Sequence, residues 1–341
     1  MSNIELRHKP VMCKEVLSIL NPSEGCVYLD GTLGAGGHSR KILESADCRV
    51  IGIDKDPTAI ELCRDLEKQY GNKFLSINGS FGNLSQHLNS IGINKIDGIL
   101  LDLGTSSMQL RTPERGFSFR SEGPLDMRMS KSGQTAADVV MHAKESQLAT
   151  ILWKYGEEKA ARRIAKAICR ARNASNIVST RQLAKIICDV MPPKKPGQID
   201  PATRSFQALR IFVNQELDEL VAGLEAVEKL LRPGGILAIV SFHSLEDRIV
   251  KRFLTARSQH ATRPSRHLPY QKKIMPTFYL PQRKAVLPLA KERDKNIRAR
   301  SAKLRIACRT PAPVTTLSGS LQSSGTKDGY ESSSSEAKLC V

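Results

Sequence analysis

Asp30-Gly31-Thr32-Leu33-Gly34-Ala35-Gly36-Gly37-His38-Ser39 is the most informative stretch of this 341-residue chain. The stretch follows a short apolar run, Val27-Tyr28-Leu29, and opens a helix-like run from Ser39 to Ala46. A glycine-rich turn that leaves a buried strand lets a small ligand approach the backbone with no Cβ in the way. It also aims the N–H groups of a helix N-terminus at that ligand. A nucleotide-like cofactor is the expectation.

From Cys26 onward, strand-like and helix-like runs alternate. Cys26 to Leu29 reads as a strand, Ser39 to Ala46 as a helix, and Arg49 to Ile53 as a strand ending at Asp54. Asp56-Pro57 starts the next helix, with Asp as N-cap and Pro in the first turn. Phe74 to Ile77 is a third strand, Phe81 to Ser90 a helix, and Ile96 to Leu103 a fourth strand. Runs such as Gly98-Ile99-Leu100-Leu101 are continuously apolar, as a parallel sheet covered on both faces requires. This is the beginning of a doubly wound α/β fold.

The alternation then stops. Thr105 to Met129 is punctuated by Gly and Pro, and helical spacing follows in Ala136 to His142, Ser146 to Tyr155, Glu157 to Ala174 and Thr180 to Met191. Ser179 with Gln182 forms a capping-box pair. These residues predict an all-helical insertion over 107–206 that interrupts a sheet domain made of 1–106 and 207–309. A single long helix is predicted from Arg204 to Leu231, stopped by Pro233-Gly234-Gly235. A strand follows at Ile236 to Phe242, a helix at Ser244 to Ala256 with Ser244 and Asp247 as its capping pair, and a closing edge strand at Lys303 to Cys308. The tail, 310–341, is rich in Ser, Thr, Gly and Pro and is expected to be disordered.

Composition is globular, with 40% hydrophobic and 25% charged residues, but the formal net charge is +18. Between Arg248 and Arg309 stand 18 Lys and Arg against 2 Asp and Glu, which leaves the rest of the chain near neutral. Such a one-sided field attracts polyanions, and a solvated basic surface is the alternative. The eight cysteines form no CxxC pair, so neither a zinc site nor a disulfide framework is expected. Residues 1–9 are polar and no apolar run nears ~18 residues. The expectation is a soluble, cytoplasmic protein that requires no membrane and no metal.

The glycine turn suits a dinucleotide or S-adenosylmethionine. The dinucleotide pattern G-x-G-x-x-G, started at Gly34, meets Ser39 where its third glycine belongs. Asp30, at a strand end, can meet the methionyl ammonium of S-adenosylmethionine, whereas it would repel a pyrophosphate. Asp54 stands where an acid accepts both ribose hydroxyls of an adenosine, and Phe81 either lies against the adenine or belongs to the core. Asp102 ends the fourth strand and should face the same crevice as Asp30 and Asp54. His243 follows a later strand and could orient a substrate. Gln109, Arg111, Arg115 and Arg120, with Phe117 and Phe119 between them, form a loop whose cations could meet phosphates; its rings either stack on a flipped base or anchor the loop.

Further motifs are His8-Lys9-Pro10-Val11, Ile53-Asp54-Lys55-Asp56-Pro57, Asp97 to Ser107, Arg115-Gly116-Phe117-Ser118-Phe119 and Gly123-Pro124-Leu125-Asp126-Met127-Arg128-Met129. Tyr155-Gly156-Glu157-Glu158, Pro201 to Ile211 and Ser241 to Arg248 follow. Together with Asp30 to Ser39, this ordered set resembles the bacterial 16S rRNA (cytosine-N4)-methyltransferase family, MraW/RsmH, over Arg7 to Arg309. The resemblance implies a Rossmann-like class I methyltransferase sheet with an inserted all-helical substrate-recognition domain. It implies S-adenosylmethionine contacts at Gly36, Gly37, His38, Asp54, Phe81, Asp102 and Gln109. The substrate it implies is a cytosine in the decoding region of 16S rRNA within the small ribosomal subunit. Thr105 and Met108 depart from the Val and Pro common in that family.

The reaction expected is direct methyl transfer to the exocyclic N4 of cytosine, with Asp102 or carbonyls of the Leu103 to Ser107 turn accepting from the amine and His243 as helper. A DNA amino-methyltransferase would carry an Asn/Asp-Pro-Pro-aromatic turn, which Asp102-Leu103-Gly104-Thr105 is not. A noncatalytic RNA-binding factor would leave the three carboxylates unexplained. A homodimer stays open at this stage.

Overall fold

The computed structural model describes residues 10–193, 197–259 and 275–314. The expectations for residues 1–9, for the motif at His8 and Lys9, and for most of the tail lie outside them.

A seven-stranded sheet forms the frame: β1 (Val27–Asp30), β2 (Arg49–Asp54), β3 (Phe74–Asn78), β4 (Ile96–Asp102), β5 (Leu231–Ser241), β6 (Phe278–Tyr279) and β7 (Lys303–Arg309). The order is β3-β2-β1-β4-β5-β7-β6. The first five strands are parallel, and β7 runs antiparallel between β5 and the two-residue β6. The edge is therefore β6 rather than β7: the sequence predicts the β7 strand but not the two-residue β6 that pairs outside it.

Alternation of side chains builds three layers. Leu29, Ile99, Leu101, Leu237 and Ile239 point to one face, and Tyr28, Leu100, Ala238 and Val240 to the other. Helices α1 (Cys13–Leu20), α2 (Gly37–Ser45), α3 (Pro57–Leu62) and α4 (Arg64–Tyr70) come early in the chain, and α1, α2 and α4 cover the second face with Val16, Ile42 and Leu66. Helix α5 (Leu84–Ser90) joins the first face through Leu84 and Leu88.

After β4 and the short α6 (Ser107–Arg111), the chain builds a second, wholly helical core from α7 (Ala136–His142), α8 (Glu145–Gly156), α9 (Ala161–Ala174), α10 (Thr180–Asp189) and α11 (Thr203–Asn214). Its apolar residues recur at helical spacing: α9 buries Ala161, Ile164, Ala165 and Ile168. Helix α10 starts with the Ser179/Gln182 capping box expected from the sequence.

The chain returns through α12 (Glu216–Leu230), and α13 (Ser244–Ser258) and α14 (Ala290–Lys295) complete it. Where one helix was expected from Arg204 to Leu231, Gln215 adopts φ 53° and breaks it in two. Asn214 holds the break in place: its Oδ1 accepts from Met129 N at 2.8 Å and its Nδ2 donates to Met127 O at 2.7 Å. The helix also ends before Pro233-Gly234-Gly235, which lies inside β5 at a register shift opposite Ile96 and Gly98. Among the described residues no helix is long and apolar enough to cross a membrane, and seven cysteines are free.

Candidate functional site

In an open α/β sheet the strand order reverses at one point, and the loops leaving the two strands there diverge and open a crevice. Here the reversal falls between β1 and β4. A cavity of about 960 Å³ opens beyond their carboxyl ends, with Gly34, His38, Asp54, Phe81, Asp102 and Arg298 in its wall. That volume is at the upper end of the ~300–1,000 Å³ usual for small-molecule sites.

The glycine turn forms one side. Gly34 sits at φ 52°, and the space where its Cβ would stand is open. Gly36, at φ 72°, packs away from the cavity; a Cβ there would meet Cys63 Sγ at 3.0 Å and Leu66 Cδ2 at 3.3 Å. Gly37 and His38 begin α2 at the cavity wall.

Asp54 closes β2 with both oxygens engaged, Oδ2 accepting from Gly34 N at 2.8 Å and Oδ1 from Asp56 N at 2.9 Å. Each oxygen keeps a further lone pair for a ligand hydroxyl. Burial lifts its carboxyl to about 6, against the pull of those two N–H groups. Phe81 begins a 3-10 turn at 81–83 and is partly buried against the core. It lines the cavity and packs on α12 so tightly that a Cβ on Gly223 would come within 2.7 Å of it.

Asp102 ends β4. Its N–H donates to Thr32 Oγ1 at 2.6 Å, its Oδ2 lies 3.7 Å from His38 Nε2, and its buried Oδ1 has no hydrogen-bond partner. His38 is 5% exposed, and neither ring nitrogen makes a hydrogen bond of ordinary length. Burial alone would depress its imidazolium. Interaction with Asp102 and Cys13 and the charge of Asp30 outweigh that and raise it to about 10.

Asp30, expected to face the same crevice, does not. It is 1% exposed and lies behind the turn, accepting from Ser39 Oγ at 2.7 Å and from Thr32 N at 3.3 Å. A strand-end carboxylate that can cap its own turn is drawn into it, and burial raises its pKa.

The loop after β4 is fixed by buried charge. Gln109 sits at the third position of α6 in a capping box with Ser106, and its Nε2 donates to Asp56 Oδ2 at 2.9 Å. Arg115 Nη1 shares that oxygen at 2.8 Å, while its Nη2 donates to the carbonyls of Arg128 and Met129. Arg115 is thus consumed internally and is no phosphate ligand. Phe117 is buried, and Phe119 meets Phe206 edge-on at 4.9 Å, so the rings anchor the loop in the helical core.

His243 is not part of the cavity wall. It caps α13 in a box with Glu246, its Nδ1 accepting from Glu246 N at 3.4 Å, in place of the Ser244/Asp247 pair expected. Asp247 instead takes Lys303 at 3.2 Å and Arg305 at 2.6 Å from β7. Glu246, which sequence reasoning passed over, does line the cavity, and its carboxylate is held low: burial opposes this, and His243 and Arg210 prevail. Glu216, His243 and Glu246 bring potential metal-ligand atoms within 4.8 Å of one another, but Arg210 already grips both Glu216 oxygens at 2.8 Å.

Arg298 belongs to the basic segment. It reaches the turn after β4, donating to Ser107 Oγ at 2.6 Å and to the carbonyl of Thr105, with its guanidinium 5.9 Å from the Phe242 ring centre. No local signal marks it, because its partners are 191 and 193 residues away. Other cations of that segment are likewise spent internally: Arg248 on Glu157, Arg257 on Glu228, and Arg309 on the carbonyls of Glu228 and Thr277. The stretch 260–274 lies outside the described residues.

A sequence model of the MraW methylase family matches residues 5–310. Ribosomal RNA small subunit methyltransferase H of Paramagnetospirillum magneticum is 54% identical over 309 residues, covering 90% of this chain and 97% of that protein. Its counterpart in Parvibaculum lavamentivorans is 52% identical over 307 residues, covering 90% and 91%. That of Rhodopseudomonas palustris is 50% identical over 314 residues, covering 92% and 94%.

Proposed function

The chain belongs to the MraW methylase family, and from that premise we propose that it transfers a methyl group from S-adenosylmethionine to the exocyclic N4 of a cytosine in the decoding region of 16S rRNA, on the small ribosomal subunit. The observation that carries the reading is Asp102 Oδ1, an unpartnered carboxylate oxygen at the end of β4 beside a cavity that holds Asp54 and Phe81. A buried acceptor without a donor is costly unless a ligand supplies one.

The residues fit the cofactor. Asp54 would take the ribose hydroxyls, Phe81 the adenine face, and the open turn from Gly34 to His38 the remainder, with Asp102 and Gln109 at the far side. Gly36 supports the turn from behind, and Gln109 acts through its hold on Asp56. When bound, S-adenosylmethionine supplies a methyl group made electrophilic by its sulfonium.

The chain's own task is to make an amide-like nitrogen nucleophilic. The N4 lone pair is delocalised into the ring, and an acceptor on the N–H draws the amine toward a tetrahedral shape. Asp102 is that acceptor, with the cationic His38 beside it at 3.7 Å. The Thr105 carbonyl is committed to Arg298, which leaves fewer backbone acceptors in the turn than the sequence offered. His243, tied as a helix cap, positions Glu246 instead of touching substrate. Positioning and local polarity supply most of the rate.

The test is incubation with labelled S-adenosylmethionine and separate pools of DNA, free rRNA and small subunits, followed by nucleoside analysis. Label in N4-methylcytosine from the small-subunit pool supports the reading. Label in DNA, or on another atom of the rRNA, removes it.

A further inference from the structure

Helix α9, ARRIAKAICRARNA, carries five cations and no acid. Its apolar face, Ile164 and Ile168 with Ala161 and Ala165, is buried in the helical core. Arg162, Lys166 and Arg170 recur at i, i+4 and i+8 and are exposed, so they form one stripe with steps of about 6 Å along the axis. None of the three has an ion-pair partner among the described residues. Arg172 differs, because it is turned inward onto the carbonyls of Val140 and Ala143 at 2.8 Å.

This stripe works against its own helix. Like charges four residues apart repel. Arg162 and the exposed Arg163 also stand in the first turn, at the positive end of the macrodipole, where acids are the favoured residues. The cap residue, Ala160, offers no side chain to the free N–H groups. The carboxylates that could relieve the charge are committed elsewhere: Glu158 is buried with its Oε1 on Ala160 N, and Glu157 holds Ser244 and Arg248. An arrangement that repels itself in the free protein is relieved by a ligand that brings a row of negative charge.

We propose that the Arg162–Lys166–Arg170 stripe of α9 is a docking surface for the phosphodiester backbone of rRNA, outside the cavity that holds the reacting base. The inference rests on the rRNA reading above and extends it to a surface. A membrane is disfavoured, because an interfacial helix needs large apolar side chains beside its cations, and those of α9 are already buried. A nucleic acid is favoured further by Trp153, the chain's one tryptophan, 67% exposed on the adjoining α8. Exposed aromatic faces of this kind stack on unpaired bases.

The experiment compares the full chain with R162Q/K166Q/R170Q for binding to small ribosomal subunits and to protein-free 16S rRNA across a salt series. The variant should bind both at least about tenfold more weakly at moderate salt. Its plot of log affinity against log salt should be shallower by about 2, as the loss of three phosphate contacts requires. S-adenosylmethionine affinity by calorimetry and the thermal midpoint should not fall. An unchanged salt slope overturns the stripe while leaving the methyl-transfer reading standing. Weaker binding to subunits with unchanged binding to bare rRNA makes an acidic protein the occupant, which also overturns it. Because these readouts need no turnover, failure of the wild type to methylate subunits would count against the proposed function separately.

Discussion

His38 Nε2 lies 3.7 Å from Asp102 Oδ2 in the wall of the cavity, where Asp102 Oδ1 and both imidazole nitrogens lack a hydrogen-bond partner. The imidazolium is lifted to about 10, against burial that alone would depress it, by Asp102, Cys13 and Asp30. A histidine with its ordinary value near ~6.5 in the unfolded chain thus stays cationic in the folded one.

A group whose folded pKa is raised binds its proton more tightly when folded, so its contribution is complete below ~6.5 and is lost progressively as pH climbs toward about 10. The thermal midpoint of the wild type should fall faster between pH 7 and 10 than that of His38→Asn. The variant should also lose methyl transfer by roughly 10²-fold or more. Parallel melting curves for the two proteins over that range would show that His38 is not the titrating group.

Asp54 gives a prediction of the opposite kind. Its carboxyl is raised to about 6 by burial, and the ionised form is the one able to accept from two hydroxyls of a bound ribose. Cofactor affinity should weaken as pH drops through about 6, and Asp54→Asn should bind about 10- to 100-fold more weakly at neutral pH, with that pH dependence removed. Calorimetry at pH 5 and 7.5 measures both.

Arg115→Met tests the buried junction behind the site. Asp56 is 0% exposed and shares one oxygen between Arg115 and Gln109. Removing the guanidinium leaves a buried carboxylate short of its countercharge, at a cost on the order of 3 kcal/mol. Denaturant titration should show a clear loss of stability.

Gln215→Gly and Gln215→Val bracket the break between α11 and α12. Glycine should stabilise the chain by up to about 1 kcal/mol by relieving φ 53°, and valine should destabilise it by about that much or more. If the two melt alike, the left-handed residue is not what separates the helices.

Much of the frame was legible because it is written in local pattern. The apolar runs of β1, β2 and β4, the Asp56-Pro57 helix start and the Ser179/Gln182 box all act over a few residues, and Asp54, Phe81 and Asp102 inherit their places from strand ends. What escaped is set by distance. Gln215 reads as an ordinary helix residue, and the break there is held by long-range contacts, Asn214 reaching back to Met127 and Met129 and Lys55 donating to the Asn214 carbonyl. Asp30 looks identical to Asp54 and Asp102 in sequence, yet Ser39 turns it inward. His243 presents an acid–base side chain, and its capping bond to Glu246 N decides its use.

The clamp of Arg298 on Thr105 and Ser107 joins positions 193 and 191 residues apart. During synthesis the turn after β4 therefore emerges long before the side chain that fixes its shape, and β5 and β7 are also still to come. Closing so long a loop costs entropy that only the finished sheet repays. The nascent chain thus carries an unfinished cleft until Arg298 and β7 have been made, and competence arrives late.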